Sequence, residues 1–160
     1  MKTINIEIKM KNHGVMKAEL YPEIAPITVE NFVKLVENRF YDGLIFHRVI
    51  AGFMIQGGGY DVKGAHHEAK SIKGEFAANG VENNLKHTPG VLSMARTMIP
   101  DSASSQFFIM HEAAPHLDGQ YAAFGKVTEG MDVVDLIANV QPTWPDQPID
   151  PVVIESIRII

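Results

Sequence analysis

The stretch FHRVIAGFMIQGGG, residues 46–59, sets a permanent charge and an amide among residues that otherwise read as protein interior. Arg48 stands among Phe46, Val49, Ile50, Phe53, Met54 and Ile55, and Gln56 precedes three glycines. Taken singly, each has an ordinary explanation. Arg48 could be a strand arginine that lays its stem along apolar surface and keeps its head in water. Gln56 could be a strand amide bonded to a loop. The glycines resemble a phosphate loop only superficially, since no helix start follows and no Gly-Lys-Ser/Thr completes the pattern, which argues against nucleotide binding.

Outward from this stretch, the chain alternates short apolar runs with turn residues. LIFHRVI, FMIQ, GVLSMAR, QFFIM and YAAFGKV are separated by Gly, Pro, Asn or Asp. Residues 3–10 place Ile4, Ile6, Ile8 and Met10 on one face and Asn5, Glu7 and Lys9 on the other, the period of a half-buried strand. Asn12-His13-Gly14 signals a turn, and residues 15–20 return as the second strand of a hairpin. Residues 22–43 change to helical spacing at Val29, Phe32, Val33 and Val36, with Leu35 on the flank. Pro26 precedes this helix, Thr28 suits its N-cap, and Asp42-Gly43 closes the segment. MDVVDLIANV predicts a second helix burying Val133, Val134 and Ile137; residues 139–150, with Pro142, Pro145 and Pro148, predict a loop; PVVIESIRII predicts a last strand. Roughly eight strands and two helices, without a βαβ rhythm or internal repeat, predict a closed eight-stranded antiparallel β-barrel with two α-helices at its open ends. One domain over 1–160 suits the length. The glycine-rich, polar 57–90 region shows little periodicity, and so long a loop in a compact domain is usually functional.

Composition narrows the classes further. The chain is 46% hydrophobic and 21% charged, the balance of a globular protein. It has no cysteine, which excludes disulfides, thiolate nucleophiles and Cys-ligated zinc. A net charge of -5 opposes nucleic-acid binding, which needs a basic face. No apolar run approaches the ~20 residues of a membrane span. MKTINIEIKMK alternates where a signal peptide would carry an apolar block. A cytoplasmic protein is expected, and a monomer, since no coiled-coil or interface stripe is visible.

Other candidates have weak support. His66-His67-Glu68 lacks HExxH spacing, and adjacent loop residues rarely converge on one ion, so no metal is expected. Ser104 or Ser105 with His47 as base would need a nucleophile elbow and an acid partner, and neither is legible. In QFFIM, residues 106–110, Phe107 and Ile109 share one face while Gln106 and Phe108 share the other. If the first pair is inside, Phe108 stands outside beside an amide, as a surface aromatic under a loop would.

In their order, FHRVIAGFMIQGG, GVLSMAR, SSQFFIM and LDGQYAAFGKV resemble the cyclophilin family of peptidyl-prolyl cis-trans isomerases. The likeness runs over nearly the whole chain, including the opening hairpin, the first helix and FGKVTEGMDVVDLI. The resemblance implies the barrel with two capping helices and an enzyme that rotates Xaa-Pro bonds without cofactor, acting on proline-containing peptides and on unfolded or folding proteins. It implies Arg48 as the catalytic arginine, a proline pocket of Phe53, Met54, Phe108 and Leu117, peptide contacts from Gln56, Ala95 and Gln106 with Arg96 beside them, and Tyr121 at a rim position often held by histidine. The lack of a leader and the short 60s loop look most like a bacterial cytosolic single-domain member. His116 departs from the tryptophan common in eukaryotic members, which supports cyclosporin binding, so a reduced cyclosporin affinity is expected. Arg96 stands where asparagine is usual in eukaryotic relatives, and Ala51 replaces a common proline. Two alternatives to the enzyme are a non-catalytic module that holds proline-containing segments, and a metallohydrolase using His66, His67 and Glu68.

Overall fold

The computed structural model describes residues 3–143 and 145–160. Alternation builds its first two strands. In β1, Ile4–Met10, the residues Ile6, Ile8 and Met10 are buried. β2, Val15–Leu20, returns antiparallel, with Ile8 opposite Met16 and Ile6 opposite Ala18. Helix α1, Pro26–Glu37, follows and buries Val29, Phe32 and Val36 as their spacing requires.

Two details of α1 differ from expectation. Its N-cap is Ala25, which gives no side-chain cap, and Thr28 lies buried inside the first turn. The backbone N–H and hydroxyl of Thr28 both donate to one oxygen of Glu75, at 2.6 and 2.7 Å. A buried carboxylate from a distant loop thus answers an orphan donor at the positive end of the helix. At the other end, α1 stops at Glu37 with Asn38 as its cap, short of Asp42-Gly43. Arg39 then turns the chain at φ 57°.

The remaining elements are β3 (Arg48–Ile50), β4 (Met54–Gly57), β5 (Val91–Met94), β6 (Phe107–Met110), β7 (Ala123–Glu129), α2 (Met131–Ala138), β8 (Pro142–Thr143), β9 (Gln147–Pro148) and β10 (Ile154–Ile159). Eight strands form one antiparallel sheet in the order β10-β1-β2-β7-β5-β6-β4-β3, and β8 pairs with β9 separately. The sheet curls, but its ladder does not run round the circumference as a closed barrel requires. No strand pair joins β3 to β10 among the described residues. The outer edge of β3 is instead taken by the β8–β9 hairpin, where the Val49 N–H donates to the Asp146 carbonyl at 2.9 Å. The seam is spanned ahead of β3 by the start of β10 and the residues before it: Phe46 N–H to Val152 O at 3.0 Å, and Ile154 N–H to Leu44 O at 2.8 Å. The loop expected over 139–150 therefore contains a small hairpin, with Trp144 lying outside the described residues.

α1 packs against β10, and α2 against β2 and the β3–β4 pair. The main core is closed by aromatic rings. Phe107 meets Phe32, Tyr41 and Phe46 edge to face at 5.3, 5.5 and 5.8 Å. Past Gly57, the end of β4, residues 58–90 carry a 3-10 turn, Ala77–Asn79, and isolated bridges at Tyr60, Asp61 and His66, and side chains tie much of the rest. The Asn83 amide donates to the carbonyls of Glu75 and Ala123, and the Asp101 carboxylate accepts from Gly74 N–H and from Asn79.

Candidate active site

Strand register assembles the site. Arg48 on β3 lies opposite Gln56 on β4, Gln56 opposite Phe108 on β6, and Phe108 opposite Ser93 on β5. Directly paired residues share a sheet face, so a charge, an amide, an aromatic ring and a hydroxyl form one row across four strands. Arg48 Nη1 donates to Gln56 Oε1 at 3.4 Å, a long bond, and Gln56 Nε2 donates to Gln106 Oε1 at 3.1 Å.

Above this row opens a niche of about 220 Å³. Phe53, Met54, Phe108 and Leu117 supply its apolar lining, Arg48 and Gln56 its polar edge, and Ala95, Arg96 and Tyr121 complete it. Gln106 lines an adjoining cavity of about 270 Å³ that shares Gln56, Ala95 and Arg96 with the first. His116 lines neither cavity; it is exposed, with its ring 6.0 Å from that of Phe53.

The two arginines differ in what holds them. Arg48 is exposed, and among the described residues it makes only the long bond to Gln56 and no ion pair. Of its five N–H donors, most are therefore unbound. The Arg96 guanidinium lies between the Phe76 and Tyr121 rings, 4.6 Å from each centroid, and donates to the carbonyls of Thr97 and Gln120. Arg96 acts as a clamp that positions Tyr121, and Phe76 is a partner that no sequence pattern marked.

Support beneath the niche comes from residues the sequence did not single out. Phe108 stacks on the buried His87 ring at 6.0 Å and meets Tyr121 edge to face at 5.7 Å. The His87 backbone N–H and Nδ1–H both donate to Asp118 Oδ1, at 2.7 and 3.0 Å, and Nε2 accepts the Ser93 hydroxyl at 2.9 Å. This is the connectivity of a hydrolase triad, but Ser93 is wholly buried and lines neither cavity, so the network is a brace. Burial pushes the His87 imidazole below its ordinary range against the pull of Asp118. Burial raises the Asp118 carboxyl, and the donors of His87 outweigh that rise and hold it below the usual range.

A second brace fixes Phe53. The His111 N–H donates to the Phe53 carbonyl at 2.9 Å. The His111 ring accepts the Gly52 N–H at Nδ1 and, with that nitrogen unprotonated, donates from Nε2 to Asp135 on α2 at 2.8 Å. The glycine triplet also has a packing cause. A Cβ on Gly57 would lie 2.5 Å from the Ile45 carbonyl, and one on Gly59 would lie 2.5 Å from the Gln106 amide nitrogen. The glycines admit the seam and the Gln106 side chain.

The remaining candidates are not assembled into a reactive group. His67 bonds to Asp61 at 2.9 Å, and no cluster of three His, Cys, Asp or Glu able to hold a metal occurs among the described residues. The Ser105 hydroxyl is buried and donates to the Gly58 carbonyl at 2.8 Å. His47 is pushed down to about 4 by burial and then by the charges of Arg48 and His66. No helix is long and apolar enough to cross a membrane among the described residues. Phe108, which alternation taken alone would leave as a surface aromatic, is 5% exposed, packed into a second apolar cluster and lines the niche with the pocket residues that the resemblance implies.

A curled antiparallel sheet with two helices, bearing beside an apolar niche an exposed guanidinium that has no ion pair among the described residues, is the architecture that the resemblance of the sequence implies. The profile described as "Cyclophilin type peptidyl-prolyl cis-trans isomerase/CLD" matches residues 4–159, and the chain belongs to this family and is a peptidyl-prolyl cis-trans isomerase. It is 48% identical to a peptidyl-prolyl cis-trans isomerase of Acinetobacter baylyi, over 97% of this chain and 86% of that one. Peptidyl-prolyl cis-trans isomerase B of Escherichia coli is 41% identical, over 92% and 95% of the two chains. A crystal structure of a Cryptosporidium parvum cyclophilin superposes with a TM-score of 0.86 at 30% identity, over 99% of this chain and 98% of that one. A structure of the same cyclophilin in the presence of the dipeptide Ala-Pro gives 0.83 at 31% identity, over 98% of each chain.

Proposed function

We propose that the chain isomerises Xaa-Pro bonds in folding proteins and in exposed segments of folded ones, by stabilising the twisted imide at Arg48 without a covalent intermediate. Amide resonance sets a rotation barrier of ~20 kcal/mol, and uncatalysed exchange takes tens to hundreds of seconds. At the top of the barrier resonance is lost, and the lone pair localises on a pyramidal prolyl nitrogen. Rotation breaks no bond and transfers no proton. The catalyst must bind the twisted form better than either planar one.

The observation that carries this reading is the unpaired Arg48 guanidinium at the edge of the apolar niche. It donates hydrogen bonds without deprotonating, and it meets an acceptor on nitrogen only when the amide is twisted. Phe53, Met54, Phe108 and Leu117 hold the prolyl ring. Gln56, Gln106 and the Ala95 backbone anchor the chain on one side, so that the other side rotates. A gain of about 10⁵ in rate needs roughly 7 kcal/mol of selective stabilisation. One oriented donor in an enclosed site supplies about 3 to 4 kcal/mol, and ring burial with anchoring supplies the rest. We take the protein to work as one domain and as a monomer, on a sheet that the 43–46 and 152–154 seam closes into a barrel.

The test is catalysed exchange on a short Ala-Pro peptide. Arg48→Ala should lower kcat/KM at least a hundredfold with an unchanged unfolding midpoint. Near-normal turnover would reject the role of Arg48. A protein that binds proline peptides but never accelerates exchange would be the holding module instead.

A further inference from the structure

Met98 and Ile99, on the loop from β5 to β6, are 93% and 67% exposed, the two most exposed large apolar residues among those described. A single exposed apolar side chain is ordinary. Here two stand in succession on a loop whose backbone is tied in place. Ser102 Oγ accepts from the Thr97 N–H and hydroxyl at 2.9 and 2.8 Å and donates to the Ile99 carbonyl at 2.6 Å. Asp101 ties the same loop to Gly74 at 2.9 Å and to Asn79 at 2.8 Å. The backbone is thus set before any partner arrives.

The position of the loop gives the pair a use. Thr97 and Ser102, which flank the pair, line the 270 Å³ cavity that adjoins the niche through Gln56, Ala95 and Arg96, and Met98 and Ile99 stand at its outer side without lining it. For a peptide seated with its proline in the niche and anchored at Gln56 and Gln106, this cavity would be the adjoining room and the loop its neighbour. We infer that Met98 and Ile99 are specificity-determining residues, which select client segments carrying an apolar side chain a few residues from the isomerised proline. The inference rests on the niche being the proline site. Its occupant is an extended stretch of non-native polypeptide, because folded proteins bury such side chains and polar segments gain nothing from two hydrocarbon groups.

The test uses two proline peptides of equal length and charge, with leucine or serine at the distal positions, and a short Ala-Pro peptide that cannot reach the loop. Wild type is compared with Met98→Ser/Ile99→Ser. Wild type should prefer the leucine peptide about tenfold in kcat/KM, through KM. The double variant should bring that ratio near one while turning over the short peptide at the wild-type rate. A wild-type ratio near one, or a ratio kept in the variant, overturns the inference. Failure of wild type on the short peptide would reject the isomerase mechanism separately, and the same ratio read as Kd by fluorescence anisotropy would still decide the loop's role.

Discussion

Phe107 and Ile109, on one face of β6, sit in the large core with Phe32, Phe46 and Phe124, whereas Phe108 and Met110, on the other, join a smaller cluster with Met54, Leu117 and Ala123. The first interior is sealed: its rings meet rings on every side. The second is open above to the niche and bounded below by His87, Ser93 and Asp118. Four consecutive residues therefore serve two ends. One face holds the sheet together, and the other floors the niche beside the Arg48 guanidinium, where we propose that the prolyl ring sits.

The comparison breaks most visibly if the sealed interior is hollowed. Phe107→Ala should cost about 3–5 kcal/mol in chemical denaturation, while the remaining folded protein keeps kcat/KM within a few-fold. A rate that collapsed ahead of stability would mean the two interiors are not separate. Ser93→Ala strikes the braced cluster instead. It strands a buried acceptor on His87, costing about 1–3 kcal/mol, and it should lower kcat/KM as Phe108 loses its support. Arg48→Lys tests the niche alone: about a tenfold fall in turnover with no change in unfolding midpoint, because a point ammonium cannot replace a planar fork.

Titration probes the same braces. His87 and His47 are both held below the ordinary 6.5, His47 at about 4, so below pH 6.5 the unfolded chain binds the more protons. Stability should be flat above pH 6.5 and fall as pH drops toward 4, by on the order of 1 kcal/mol per pH unit; urea midpoints at pH 7 and pH 5 measure it. The smallest effect is at the rim. His116→Trp should tighten cyclosporin inhibition several-fold, and an unchanged inhibition constant would refute the reasoning from the missing indole.

The parts of the fold written in period were legible. Ile6, Ile8 and Met10 alternate into β1, and Val29, Phe32 and Val36 wind round α1. What stayed hidden depends on distant partners. Thr28 looked like a cap because nothing local announces that Glu75 reaches its backbone. Phe108 looked exposed because one strand's alternation cannot reveal that the sheet's second face is also covered. At the site, the pattern around Arg48 and Gln56 was readable by resemblance. The brace was not, since His87, Ser93 and Asp118 meet only through folding.

The seam between the ends of the sheet bears on how the molecule is made. β10 pairs with β1, Ile159 facing Ile6, while its first residue, Ile154, and Val152 ahead of it bond back to Leu44 and Phe46. β1 and β10 lie at residues 4–10 and 154–159, so on a ribosome one side of β1 stays bare until the chain has been made as far as β10. The nascent polypeptide must keep that naked edge from sticking to its neighbours throughout that interval.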